Sequence, residues 1–434
     1  MTTSLTEDSE VLTPGQDGYA ESAATLFASG TPDLVVRPRD GSGVAAALRY
    51  AADAGLPVSV RSGGHSVAGF GTYTSGMVID LRHLNAVRPL DQRRVRIGAG
   101  ATWGAVAQAL EGAGLSLTAG DTSSVGVGGL TLGGGIGWMV RKYGLAIDNL
   151  IGVDVVTVDG RLVRADDERH SGLFWALRGG GGNFGVVVGF DFAAQPVSAV
   201  HYGTIAYRAD GLPGGLSGLI ARWSDRARTS DESLTTALSL IPPMMGRPAM
   251  VALRCCYASA DADAAGVALA PFRRLAPVVA DDVRVVPYAG VLEEATMPPG
   301  IRVELRNTFL PCLDDAIEGI GELFQAGAFV ELRGLGGEFG RVPRDATAFA
   351  HRDAEALLVA GVMLPPGAPD TSGHSLAAWA RVAAHGTGSY IGFLGADAAA
   401  DTAYPPMTYE RLTAIKRHYD PTNILRRNHN IRPT

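Results

Sequence analysis

The N-terminal half of the chain alternates short runs of β-branched residues with stretches that carry apolar side chains at helical spacing. Residues 33–37 read as a strand, and the segment after it places Val44, Ala47, Leu48 and Ala51 on one helical face from Gly41 to Ala54. Strands follow at 57–61, 77–80 and 94–97, the last leading into a helix over 103–110. Strand-like runs recur at 152–158, 161–165 and 185–192, which predicts an α/β region with mixed sheets. From about Tyr202 the character changes. Apolar runs at 250–256, 328–332 and 357–363 mix with a helix over 314–325, and turn-rich stretches at 242–248, 298–300 and 365–367 separate them. This predicts a second, α+β unit. A closing helix is expected over 409–418, stopped by Asp420-Pro421. With 434 residues the chain exceeds one compact core, so two domains are expected.

Composition changes this picture in one respect. There are 57 glycines, concentrated between Gly98 and Gly189 without a triplet period, so main chain is expected to pack closely around something there. The net charge of −7 and the lack of a basic run argue against a nucleic-acid partner. Cys255, Cys256 and Cys312 are too few, and odd in number, for a disulfide framework, which points to a reducing compartment. The first fifteen residues are polar and acidic, with no leader-like apolar core, and no run is long and apolar enough to span a membrane. A cytoplasmic, bacterial enzyme fits these features. The histidines show no metal-ligand spacing, and no G-x-S-x-G elbow occurs.

Four segments carry candidate chemistry. In Arg61-Ser62-Gly63-Gly64-His65-Ser66 a strand runs into two glycines that free backbone N–H groups to approach a phosphate, with a histidine at the exit. Taken alone, the segment fits a tight surface turn equally well. The run from Ala119 to Gly137 interleaves glycine with Val, Leu and Ile. A flexible linker would lack those aliphatic residues, so the run suits main chain wrapped around a large planar or phosphorylated ligand, or simply tight packing. Four further glycines, Gly179 to Gly182, precede Asn183-Phe184-Gly185 and a β run. The chain closes on Asn428-His429-Asn430. A competing fingerprint, strand then Gly98-x-Gly100-x-x-x-Gly104 then helix, with Asp121 downstream, would by itself propose a nicotinamide dinucleotide, but Asp121 lies within a glycine run and not at a strand end.

In their order and spacing these segments resemble the berberine-bridge-enzyme-like FAD-linked oxidoreductases of the vanillyl-alcohol oxidase superfamily. The resemblance spans nearly the whole chain, and it accounts for the 98–104 glycines as scaffold. It implies an α+β fold: a two-subdomain PCMH-type FAD-binding domain, residues 1–203 with a return at 395–434, and an inserted substrate domain at 204–394 built as an antiparallel sheet covered by helices. His65 would bond the 8α carbon of the flavin. Backbone at Arg61 to Gly64 and Gly126 to Gly129 would hold the diphosphate, with Ser66, Gly120, Val125, Gly133 and Gly137 around the cofactor. Gly185 and Val187 would lie near the adenine, and Asn428 and Asn430 would return to the flavin region. Many relatives add a cysteinyl bond at the position occupied here by Thr122. A single histidyl link is therefore expected, and its lone presence counts against a sugar oxidase.

The implied activity is hydride transfer from an alcohol, amine or activated C–H of a small molecule to FAD. Val125, small and near Thr122, favours molecular oxygen as electron acceptor, hence an oxidase over a dehydrogenase. An alcohol substrate also needs a proton acceptor. Tyr404, seven residues before Arg411, matches the tyrosine base of the plant oxidative cyclases, although a packing tyrosine fits as well. The strand at 357–363 lacks the carboxylate those enzymes carry, which leaves Glu338, after Gly336-Gly337, as a substitute or as a surface residue. His351 is expected to anchor structure.

Overall fold

The computed structural model describes residues 5, 9–244, 246, 248–294, 297 and 300–434; the polar residues at 1–4 and 6–8, two positions of the 242–248 turn and Pro298-Pro299 lie outside it. Three sheets organise the chain. The first places Ser9–Leu12, Leu34–Pro38, Met77–Asp80 and Val58–Arg61 side by side in that order, the last three parallel. Parallel neighbours need a crossover. Gly41–Ala54 supplies one, its N–H groups at Ser42 and Gly43 capped by Asp40 and its end turned by Gly55 at φ 65°. Val44, Ala47, Leu48 and Ala51 are fully buried along it. The register pairs Arg61 with Asp80, so residues 62–66 leave from the carboxyl edge of the parallel strands, where open α/β sheets place their ligands.

The second sheet is antiparallel: Val87–Pro89, Arg94–Gly98, Val186–Ala193, Leu150–Val156 and Leu162–Ala165. Its long central strand follows the third glycine cluster, as the sequence pattern predicts. The third sheet has eight strands. Val278–Asp281, Ala199–Tyr207, Met250–Tyr257, Leu234–Ile241, Phe329–Gly334, Ala356–Leu364 and Arg302–Leu310 follow in spatial order, and Arg284–Pro287 also pairs with Ala199–Tyr207. Helices Gly215–Thr229, Ala262–Arg273 and Ile317–Gln325 share a core with one face, to which Val330 and Leu332 contribute. Alternation along the strand sends Glu331 and Arg333 to the other face. No helix among the described residues is long and apolar enough to cross a membrane.

Some elements depart from the pattern. The closing helix runs Pro406–Tyr419, starting earlier than 409 because Pro406 is tolerated in a first turn. The helix expected over 314–325 opens as a 3-10 turn, Asp314–Ala316. Arg302–Leu310 is a strand that the sequence hides, since Arg302, Glu304 and Arg306 alternate with apolar residues on a partly exposed edge.

The C-terminal segment is fastened by one buried ion pair. Lys416 Nζ donates to Asp420 Oδ2 at 2.6 Å and to the carbonyls of Asn183 and Leu425 at 2.9 and 3.0 Å. Both charged side chains are fully buried, and the Asp420 carboxylate accepts the N–H groups of Ile424 and Leu425. Replacing Lys416 by Met strands that carboxylate. We expect a loss of about 3–5 kcal/mol, read from the urea midpoint, together with earlier proteolysis after residue 419.

Candidate functional site

A cavity of about 440 Å³ lies where the three sheets meet, within the range of small-molecule sites. Its floor is the 62–66 turn. The backbone N–H groups of Gly63, Gly64, His65 and Ser66 donate to no acceptor among the described residues, although they line the cavity. Successive free N–H groups form an anion-binding concavity. The turn is pinned from below. Arg61 Nη1 donates to the carbonyls of Glu21 and Ser22 at 2.9 and 3.0 Å, and its Nε stands 3.9 Å from the buried carboxylate of Asp80. Ser62 Oγ donates to Ala99 O at 2.6 Å and accepts from Gly128 N at 3.3 Å, tying the turn to the glycine run.

The glycines do two different jobs. At Gly63 a Cβ would stand 2.3 Å from the nitrogen of Gly126, so the two main chains touch directly. At Gly129 and Gly182 a Cβ would meet nothing within 4 Å, and both residues line the cavity. Side chains there would fill a space that the fold keeps open. The C-terminal return adds unsatisfied polar atoms: Asn428 Oδ1, His429 Nδ1 and Arg427 Nε are buried without a hydrogen-bond partner, on residues that line the same cavity. Burial pushes the His429 ring down to about 4, so it stays neutral at physiological pH. Free N–H groups, bare glycine walls and orphaned polar atoms fit a large ligand that carries a diphosphate and a hydrogen-bonding ring.

His65 lies half-buried in the lining, and burial lowers its pKa while the carboxylate of Glu294 pulls the other way. Arg61, Ser62, Gly120, Thr122, Val125, Gly126, Gly185 and Val187 also line the cavity. Four of the expected residues do not line it. Gly133 and Gly137 stand outside the lining: Gly133 supports Ile391 from behind, and a Cβ at Gly137 would collide with the Ala119 carbonyl, so both serve packing. Asn430 is also outside it, with its neighbour Ile431 held by Asn183. Glu338 lies away from the cavity on the short helix Glu338–Arg341, where Arg341 holds its carboxylate at 2.9 Å on the surface.

Tyr404 does line the cavity, but its hydroxyl donates to the Gly179 carbonyl at 3.1 Å. Burial, and then the neighbouring Tyr409, push its pKa upward, and no cation offsets them. The structure thus opposes its use as a base. His351 bridges Thr387 and the Ala403 carbonyl, which accords with an anchoring role.

The sequence pattern missed the roof. Arg333 donates through Nη2 to Asp121 Oδ2 at 2.7 Å and through Nε to Glu331. Glu331 in turn accepts from Arg254 at 2.7 Å, and Arg254 reaches Glu293 at 3.5 Å. Asp121 and Arg333 both line the cavity. Asp121 was visible only as a false dinucleotide signal, and nothing local marks Arg333.

Residues 32–166 match the family model described as FAD binding domain, and residues 389–432 match the one described as Berberine and berberine like. The (R)-6-hydroxynicotine oxidase of Paenarthrobacter nicotinovorans is 30% identical over all of this chain and 98% of its own length. The chain belongs to the berberine-bridge-enzyme-like FAD-linked oxidoreductases. The crystal structure of 6-hydroxy-D-nicotine oxidase from Arthrobacter nicotinovorans superimposes on this FAD-linked oxidoreductase over the full length of both chains, with a TM-score of 0.86 and 28% identity. The carbohydrate oxidase of Microdochium nivale shares the fold at a TM-score of 0.87 and 22% identity, over 98% of each chain. Over 37% of this chain, and 33% of its own length, the glucooligosaccharide oxidase of Sarocladium strictum is 38% identical. The protein is therefore an FAD-linked oxidoreductase.

The two kinds of glycine separate experimentally. Gly182→Val should keep the thermal midpoint of the native apoprotein but be isolated with less FAD than the native protein, since its side chain enters only the cavity. Gly63→Ala forces two backbones apart and should cost about 1–3 kcal/mol of stability, measured by chemical denaturation.

Proposed function

We propose that this oxidoreductase is an oxidase that holds FAD through a single bond from His65 and oxidises an alcohol, amine or activated C–H of a small molecule, a secondary metabolite, with electrons passing to oxygen to give hydrogen peroxide. The observation that carries the reading is the place of His65, third in a run of four unpaired N–H groups in the cavity floor. A ring kept neutral by burial has a nitrogen lone pair free for bonding. The FAD-binding part would comprise 1–203 and 395–434, with 204–394 as the substrate domain.

A bound flavin would accept hydride and pass electrons onward. The chain's own residues bind, orient and enclose. Residues 63–66 offer N–H groups to the diphosphate, Asn428 and His429 offer side-chain atoms to the ring region, and Ile391 and Phe393 close the cavity against water. One solved relative, the glucooligosaccharide oxidase of Acremonium strictum, carries a 6-S-cysteinyl, 8α-N1-histidyl FAD. Here Thr122 lines the cavity without a sulfur, and Cys255, Cys256 and Cys312 do not line it. This supports one link, and it favours a small-metabolite substrate over a carbohydrate.

Acid precipitation tests the attachment. The yellow colour should remain in the pellet of the native protein and pass to the supernatant for His65→Ala; an acid-stable colour in that variant refutes the site. Attachment to apoprotein should proceed at a constant rate from neutral pH down to the ordinary imidazole value of 6.5 and slow only below it, because burial lowers the His65 pKa and keeps the ring neutral through that window. Tyr404→Phe removes a hydroxyl already committed to a carbonyl. It should cost about 1 kcal/mol of stability and leave the rate of flavin reduction within about fivefold in stopped-flow measurements.

A further inference from the structure

The roof of the cavity carries a charge cluster that the proposed chemistry does not use. Arg333, Asp121, Glu331, Arg254 and Glu293 form one chain of contacts, and Tyr202 adds a hydroxyl to Glu293 Oε1 at 2.6 Å. Three carboxylates face two guanidinium groups, so the cluster has one negative charge in excess. Burial pushes the Asp121 and Glu331 carboxyls up, but the neighbouring arginines outweigh it and hold both below their ordinary values, hence ionised.

Each carboxylate oxygen has a partner. Asp121 Oδ1 accepts from Thr122 Oγ1 at 3.0 Å and Oδ2 from Arg333. Glu331 divides its oxygens between Arg333 and Arg254, and Glu293 divides its own between Tyr202 and Arg254. The donor side is not used up. Arg333 Nε and Nη2 are engaged, while Nη1 donates to nothing among the described residues. Arg333 lines the cavity beside Tyr390 and Phe393, its guanidinium 5.4 Å from the Phe393 ring centre. Two acids thus fix a planar donor, and its open edge is left for a ligand.

We propose that Arg333 is a specificity-determining residue, whose Nη1 donates to an oxygen acceptor on an uncharged or cationic substrate. The inference rests on the cavity being the flavin and substrate site, and it adds the class of group recognised there. A guanidinium with no acids around it would select carboxylates. Here the surplus negative charge of Asp121, Glu331 and Glu293 opposes a second anion, so a carbonyl, hydroxyl or ether oxygen is preferred over a carboxylate. Asp121 and Glu331 are positioning residues: they hold the guanidinium plane and do not themselves meet the ligand oxygen.

Three probes of one shape test this in the flavin-loaded protein: benzamide, benzoate and toluene, titrated while the visible flavin bands are followed. Benzamide should perturb the bands and bind at least about tenfold more tightly than either of the others. Arg333→Lys keeps a cation between the two carboxylates and so protects folding, but it removes the planar Nη1 edge. It should leave the thermal midpoint and acid-stable flavin unchanged while weakening benzamide about tenfold. Equal binding of benzamide and toluene, a preference for benzoate, no response to benzamide, or benzamide binding untouched by Arg333→Lys would each overturn the proposal. Resting flavin bands shifted in that variant, with benzamide binding retained, would put the guanidinium on the flavin and overturn it too. A colourless protein would instead remove the flavin reading on which the proposal stands.

Discussion

The site depends on one approach of main chain to main chain. Gly63 and Gly126 pack so closely that neither can carry a Cβ. Ser62 locks the contact by bridging Ala99 and Gly128. Gly63 follows the end of a parallel strand of the first sheet, and Ala99 follows a strand of the second, so this contact joins the two sheets at their edges. Everything else in the floor follows from it. The turn must run onward with its N–H groups facing away from the protein, and the glycine run must curl over the same space. An N–H shut away from water without an acceptor costs about 1–3 kcal/mol, so a ligand that covers this turn has to accept from several of them in succession. A ligand that satisfies them returns that energy as binding, which couples cofactor affinity to stability.

Much of this was legible in the sequence because its cause is local. Gly41–Ala54 follows from apolar spacing, an Asp cap and a terminal glycine. The 61–66 turn follows from a strand meeting two glycines. The glycine run signals a wrapped ligand because its aliphatic residues still have to be buried. What glycine density does not encode is which side the missing Cβ faces. Gly129 leaves the cavity wall bare, whereas Gly137 lets Ala119 pass, and the two look alike in sequence.

The candidates chosen by spacing fared differently for a related reason. Tyr404 reaches the cavity, but its hydroxyl direction is set by the Gly179 carbonyl, which is far away in sequence. Glu338 follows a double glycine as expected, yet one turn of helix brings Arg341 against it and turns it outward. Arg333 and Asp121 are 212 residues apart, and no local pattern relates them. Only the tertiary fold, which sets the strand Phe329–Gly334 against the glycine run, makes them neighbours.

That contact also bears on the single flavin link proposed at His65. The segment around Thr122 is joined to the roof by the Asp121–Arg333 ion pair, by Ser123 N to Glu293 O at 2.8 Å and by Glu293 N to Asp121 O at 2.9 Å. Three connections leave residues 121–123, one to Arg333 of the eight-stranded sheet and two to Glu293. A thioether at position 122 would fix this wall to the cofactor; here it is fixed to the roof instead. Buried ion pairs add little net stability, because desolvation offsets the attraction. Their effect is geometric: the distance between the cofactor wall and Arg333 is set by a hydrogen-bonded frame, with no free hinge between them. Under the proposed function the dimensions of the substrate space would then be set by the eight-stranded sheet, and changes along Phe329–Gly334 would alter what the site accepts.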